Sequence, residues 1–288
     1  MTRQPWVARR AEELLGSSVV ATAPVAGGDV STATKLRLSD GTTAIVKTLA
    51  HSPEGFFESE AAGLAWLAST TDAGGVHAPE VLAVDPECLI LRWVEPGKNG
   101  VESAAAFGRA LSVTHAAGAA AYGADADGFI GRLPLPNRTA ATWAEFYAVR
   151  RVLPYLKLAR DRDAITEEQA VVVESLVARL ADLVPEEPPA RLHGDLWNGN
   201  VLWGHDGHVW VIDPAVYAGH REVDLAMLAL FGLPHLPRVL DAYDEATPLA
   251  AGWEDRVGVH QVFPLLVHAC HFGGGYGARA ATTAARYV

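Results

Sequence analysis

The stretch RLHGDLWNGNVLW, residues 191–203, sets an Asp, a Trp, two Asn and a His between two short apolar flanks. The flanks RL and VLW have strand composition and could pair with each other, whereas HGDLWNGN carries two glycines and cannot hold a regular ladder. The reading is a polar loop held between strands, where rigid flanks can position side chains for chemistry. A further apolar strand, VWVI, ends on Asp213, so that Asp195 is followed five residues later by Asn200 and eighteen residues later by Asp213.

The rest of the chain divides into two characters. Residues 19–49 read as β-rich, because TKLRLSDGTTAIVKTL alternates apolar and polar residues on both sides of Asp40-Gly41, the composition of a tight hairpin turn. GFFESEAAGLAWLAST then repeats Phe57, Ala61, Leu64 and Trp66 or Leu67 at helical spacing, and HAPEVLAVDPECLILRWVEPG offers two strands around Asp85-Pro86. Past Pro96-Gly97 the pattern turns helical. SAAAFGRALSVTHAAG puts Phe107, Ala110, Leu111 and Thr114 on one face, and Thr166 with Gln169 forms a capping box ahead of a further helix. The Pro-rich VPEEPPA (184–190) reads as a connector, and HVWVIDPAVYAG joins the quoted loop as a short β insert.

With 288 residues, half of them apolar, the chain can bury a large core in one domain or two lobes. A net charge of −11 without a basic stripe argues against nucleic acid as a partner, since nothing would displace counterions from its phosphates. The first residues, MTRQPWVARRAEELLG, read as a charged amphipathic helix rather than a secretion signal, and the Ala-rich stretch 104–121 is interrupted by Arg109 and His115, so no membrane partner is expected. Cys88 and Cys270 stand far apart in apolar surroundings, which fits a cytoplasmic, reducing location better than a disulfide framework.

The spacing of Asp195, Asn200 and Asp213 has a physical use. One carboxylate can receive a hydroxyl proton while an amide oxygen and a second carboxylate hold Mg²⁺ on the phosphates of a nucleotide. Upstream, Gly27-Gly28 precede a strand by a short turn, Lys47 closes a strand and Glu60 sits on the next helix. A Gly-rich turn can lay backbone N–H groups over phosphates, and a lysine held by a glutamate can reach them. Taken singly, each residue has a commoner structural role, such as an Asx turn or a solvated lysine; their joint order selects a phosphotransferase.

That order, with HGDLWNGN, DPAVYAGHREVDLAML, LFG, HFGGGY, FGRALSVTHAAG, FIGRLPLPN and FYAVRRVLPYLKLARD, resembles the fructosamine kinase (ketosamine 3-kinase) family, related to aminoglycoside and choline kinases, from about Gly27 to Tyr276. The resemblance implies an α+β protein-kinase-like fold of two lobes, with a small antiparallel sheet in residues 1–94 and a larger, mainly helical lobe in 95–288. It implies Asp195 as the residue that deprotonates the sugar hydroxyl, and Asn200 and Asp213 as Mg²⁺ ligands. Lys47 would contact the ATP phosphates, held by Glu60, with Gly27, Gly28 and Ser31 in the covering turn and the backbone of Arg92 and Val94 at adenine. Trp197 and His268 would lie on the acceptor side. The implied acceptor is a small ketosamine or glycated amine. An aminoglycoside, choline or homoserine kinase and a nucleotide-binding pseudokinase are the alternatives.

Two positions depart from the family pattern: Asp29 stands where many relatives carry Cys, and Val267 replaces an Asn before His268. Gly194 occupies the place of the Arg that in protein kinases pairs with a phosphorylated activation loop, and only ten residues separate Asp213 from Asp224, too few for a peptide-docking platform. Small acceptors are therefore expected. His193 reads as a brace of the loop, His220-Arg221-Glu222 as a buried ion-pair cluster, and GGGYG (273–277) as a helix-ending turn. The eleven His show no pair at convincing zinc-ligand spacing.

Overall fold

The structure is a computed structural model that describes residues 6–26 and 30–288. Helix α1 (Trp6–Leu15) leads into strands β1 (Val19–Val25), β2 (Thr32–Leu38) and β3 (Thr43–Thr48), helix α2 (Phe56–Ala68), and strands β4 (Val81–Asp85) and β5 (Cys88–Arg92). The five strands form one antiparallel sheet in the order β1-β2-β3-β5-β4. Period-2 alternation divides its faces. Ala44, Val46, Cys88 and Ile90 pack with Ala11 of α1 on one side, and Leu89 and Leu91 pack with Phe57, Leu64 and Leu67 of α2 on the other. The choice between Trp66 and Leu67 falls to Leu67, which is buried while Trp66 is half-buried. The hairpin at Asp40-Gly41 forms as expected, with Gly41 at φ 90° and the Thr42 N–H donating to Asp40 Oδ1 at 2.8 Å.

Helices dominate from residue 101 onward. Helix α3 (Val101–Ala116) is followed by the small hairpin β6 (Gly128–Ile130) and β7 (Leu133–Leu135), then α4 (Trp143–Phe146), a π-helical turn (Tyr147–Val152), α5 (Leu153–Asp161), α6 (Glu167–Val177) and α7 (Leu180–Leu183). Thr166 and Gln169 close the anticipated capping box at the start of α6. The π turn carries Arg151, fully buried, whose guanidinium lies 3.8 Å over the Tyr217 ring and donates to Asn137 Oδ1 and Pro136 O. Strands β8 (Ala190–Leu192), β9 (Val201–Trp203), β10 (Val209–Val211) and β11 (Tyr217–Gly219) precede helices α8 (Glu222–Phe231), α9 (Leu236–Ala246), α10 (Trp253–Phe272) and α11 (Tyr276–Ala284). Gly273, Gly274 and Gly275, all at positive φ, separate α10 from α11, so GGGYG is indeed a helix-ending turn.

The flanks of the polar loop are strands, but they do not pair with each other. β8 pairs with β11 and β9 with β10, because the turn after Trp203 returns β10 onto β9 and the chain past Asp213 returns β11 onto β8. One apolar cluster joins the two halves of the molecule. Leu64, Leu89 and Leu91 of the sheet half share it with Phe107, Leu111, Leu196, Val201, Val211 and Leu225 of the helical half.

Candidate active site

Sheet alternation decides where Lys47 points. It pairs with Leu89 across β3 and β5, on the face covered by α2, and there its Nζ donates to Glu60 Oε1 at 2.5 Å. The same Nζ donates to Asp213 Oδ1 at 2.7 Å, so a residue of the sheet and one of the helical half meet at a single ammonium. Helix α2 comes this close because residue 63 is Gly: a Cβ there would stand 3.2 Å from the Pro214 side chain. Burial alone would depress the Lys47 pKa, but Glu60 and then Asp213 outweigh it and raise it, so the ammonium is kept. Burial also pushes the Glu60 carboxyl up. The direction at Lys47 governs the trio, because two carboxylates lie at hydrogen-bond distance from it.

The hairpin register explains the spacing of the other residues. Val201 faces Val211 across β9 and β10, and the next pair outward is closed by the Ile212 N–H donating to Asn200 O at 3.0 Å. Asn200 and Asp213 therefore end on adjoining positions at the mouth of the hairpin. Asn200 Nδ2 donates to Asp195 O at 2.8 Å and to Asp195 Oδ2 at 3.2 Å, which turns the amide oxygen away from Asp195. Asp213 itself is at φ 54°, a left-handed conformation uncommon for a residue with a side chain and typical of positions fixed by function. Its side chain is 38 % exposed, against 10 % for Glu60. An amide oxygen and an open carboxylate are hard donors of the kind Mg²⁺ takes, so the residues present fit that ion.

Asp195 is half-buried by exposure, yet its carboxyl is pushed up to about 7 by burial first and by the charges of Asp213 and Asp224, with the Asn200 hydrogen bond opposing. A carboxyl so poised can exchange a proton near neutrality.

The loop is held by a side chain that the sequence offered only as a landmark. Asp224, fully buried in the first turn of α8, accepts from the His193 N–H at 2.8 Å and the Gly194 N–H at 3.0 Å, and pairs with His115 Nε2 at 3.1 Å. His115 Nδ1 lies 2.8 Å from the Tyr243 hydroxyl. Burial would raise the Asp224 pKa, but His115, His193 and the backbone donor lower it on balance. Gly194 stands at φ 82°, and a Cβ there would meet Ala215 O at 2.0 Å, so no side chain fits the position that protein kinases give to Arg. His193 does brace the loop: its Nδ1 accepts from the Asp195 N–H at 3.3 Å and its Nε2 lies 2.9 Å from Ile212 O, while burial lowers its pKa.

Of the remaining candidates, Gly27 and Gly28, with Asp29, lie outside the described residues. Ser31 is half-buried in the bend before β2. Arg92 ends β5, where its backbone N–H donates to Glu80 O at 2.9 Å, and Val94 lies two residues past the strand. Trp197 and His268 converge through an intermediary that the sequence reading quoted within LFG but gave no role: Phe231 lies 5.8 Å from the Trp197 ring and 4.7 Å from His268, centre to centre. His220-Arg221-Glu222 is an ion-pair cluster with partners from elsewhere, Glu222 on Arg256 at 2.6 Å and Arg221 on Glu187 at 2.8 Å. The fold also brings His260 to it. One ligand-type atom each from His220, Glu222 and His260 lies within 4.8 Å of the others, but Arg256 takes both Glu222 oxygens and His220 Nδ1 accepts the Glu222 N–H.

A sheet-borne lysine shared between a helical glutamate and an aspartate of the opposite half is how kinase-like phosphotransferases are built, and this chain is of that class. It belongs to the fructosamine kinase family, whose model matches residues 4–288. A crystal structure from Thermobifida fusca, described as a candidate fructosamine-3-kinase, superposes with a TM-score of 0.92 at 46 % identity over 98 % of each chain. The chain is 38 % identical over 254 residues to a probable ketoamine kinase of Thermus thermophilus, covering 88 % of each. It is 30 % identical over 259 residues to the chloroplastic protein-ribulosamine 3-kinase of Arabidopsis thaliana, covering 88 % of this chain and 78 % of that one.

Proposed function

We propose that this kinase transfers the γ-phosphoryl group of ATP to the 3-hydroxyl of a ketosamine, a fructosyl- or ribulosyl-amine. The observation that carries the reading is the ammonium of Lys47 lying between Glu60 and Asp213, with Asp195 joined to the same cleft through Asn200. Lys47 contacts the nucleotide phosphates, Gly27, Gly28 and Ser31 are further nucleotide-binding residues, and Val94 with the Arg92 carbonyl borders adenine. The Asn200 amide oxygen and the Asp213 carboxylate would hold Mg²⁺, which would supply neutralisation of the phosphate charge there. Asp195 takes the hydroxyl proton as the new O–P bond forms and the bond to ADP breaks. Trp197 and His268 hold the acceptor.

Ketosamine 3-phosphates break down spontaneously and free the amine, so the consequence of the reaction is deglycation. We also place the lobe boundary at 94/95 and the protein in the cytoplasm. The latter is supported by Cys88 and Cys270, free buried thiols whose pKa burial raises to about 12 and about 11. No helix among the described residues is long and apolar enough to cross a membrane.

The test is ³¹P NMR of reactions with synthetic fructosyl- and ribulosyl-lysine. One new phosphomonoester resonance coupled to the C3 proton is expected. Transfer to choline or an aminoglycoside, with none to either ketosamine, would overturn the reading.

A further inference from the structure

Aromatic rings continue outward from Trp197 past the residues given a role above. Phe231, the last residue of α8, lies between Trp197 and His268, and His268 is 5.6 Å from Phe272 and 5.2 Å from Tyr276. Phe272, the last residue of α10, is 56 % exposed, the most exposed of the large apolar side chains among the described residues.

The end of α10 is fixed in place. His271 Nε2 lies 3.2 Å from Ile130 O, and its ring can approach only because residue 131 is Gly, where a Cβ would stand 2.7 Å from that nitrogen. Arg132, next in the same turn, donates to Val30 O at 3.4 Å, beside the Gly-rich segment. The row of rings therefore starts two residues from Asp195 and ends next to a turn that contacts Val30, just ahead of β2.

A ketosamine carries its amine on C1, two carbons from the 3-hydroxyl. With that hydroxyl at Asp195, the nitrogen and its substituent must leave the catalytic centre along some wall. A secondary ammonium and an apolar substituent are both favoured by aromatic faces. We infer that the row Trp197, Phe231, His268, Phe272 receives the amine's substituent, and that Phe272 selects ketosamines bearing an aromatic or similarly bulky apolar group. The inference rests on the ketosamine reading above and adds to it the substrate class.

The test compares N-fructosyl-benzylamine with N-fructosyl-methylamine, acceptors that differ by one phenyl ring, in the wild type and in Phe272→Ala and Phe272→Tyr. In Phe272→Ala, kcat/KM for the benzyl acceptor falls about 10-fold or more, the scale of losing one apolar ring contact, through KM and with kcat held. The methyl acceptor stays within about two-fold, and Phe272→Tyr restores the benzyl value. Equal losses on both acceptors, or no loss on the benzyl one, would overturn the inference while leaving the ketosamine reading intact. No transfer to either acceptor by the wild type would overturn both.

Discussion

Replacing Asp195 by Asn removes a carboxyl whose pKa the fold raises to about 7, and this makes opposite predictions for activity and stability. Turnover should fall by about two orders of magnitude or more, the scale of a lost general base, while ATP still binds. For stability, a rise from 3.8 to about 7 corresponds to about 4 kcal/mol at 1.36 kcal/mol per unit. Because Asp195 is half-buried rather than enclosed, screening reduces this to about 1–2 kcal/mol. The folded pKa lies above the unfolded one, so the native state binds the proton more tightly. Wild-type stability therefore declines as pH climbs from about 4 to about 7 and is level above that. The Asn variant escapes this decline, so it should be more stable by about 1–2 kcal/mol at pH 8, with most of the gain gone at pH 4. Urea unfolding at the two pH values measures the difference, and coupled ADP release measures turnover. A variant less stable than wild type at pH 8, or a gap that ignores pH, would refute the account of Asp195 as a carboxylate charged against its surroundings.

Lys47→Met should weaken ATP binding about 10- to 100-fold, the worth of a hydrogen bond to a charged group, as read by fluorescent nucleotide titration; unchanged affinity would remove Lys47 from the phosphates. Asp224→Asn offers one oxygen where His193, Gly194 and His115 present three donors, so it should lower kcat at least about 10-fold with KM for ATP held within about two-fold. A purely structural role for Asp224 would instead lower the active fraction and leave kcat per folded molecule unchanged.

The parts of the fold written in local pattern were legible in the sequence. The hairpin at Asp40-Gly41, the Thr166-Gln169 capping box and the buried face of α2 each depend on residues within a few positions of one another. Strand pairing around the catalytic loop was not: HVWVIDPAVYAG reads as β, but nothing local marks β8 as the partner of its last three residues, Tyr217-Ala218-Gly219, and only tertiary contact puts them there. The same division holds within the site. Lys47, Glu60, Asp195, Asn200 and Asp213 were legible through their order along the chain. Asp224 was not, since an Asp in the first turn of a helix has an ordinary explanation in the helix dipole, and His115 lies in an Ala-rich helix with nothing beside it to mark a partner on α8. Phe231 was passed over because its contacts, Trp197 and His268, come from a loop and a helix distant in sequence.

The two halves share a core, and this bears on how the cleft can move. Leu64 of α2 is fully buried in the same cluster as Leu196, Val201 and Val211, which flank the catalytic loop from the other half. Gly63 beside it sets the approach of α2 to Pro214. Halves joined by apolar contact directly behind the active site cannot separate without exposing that cluster to water, so large-scale opening carries much of the cost of unfolding. Leu64→Ala should therefore cost about 2–5 kcal/mol and lower the midpoint of one cooperative transition for the whole chain in calorimetry and far-UV circular dichroism alike. If the lobes were independent units, the substitution would split the transition, moving the melting of the sheet half and leaving that of the helical half in place.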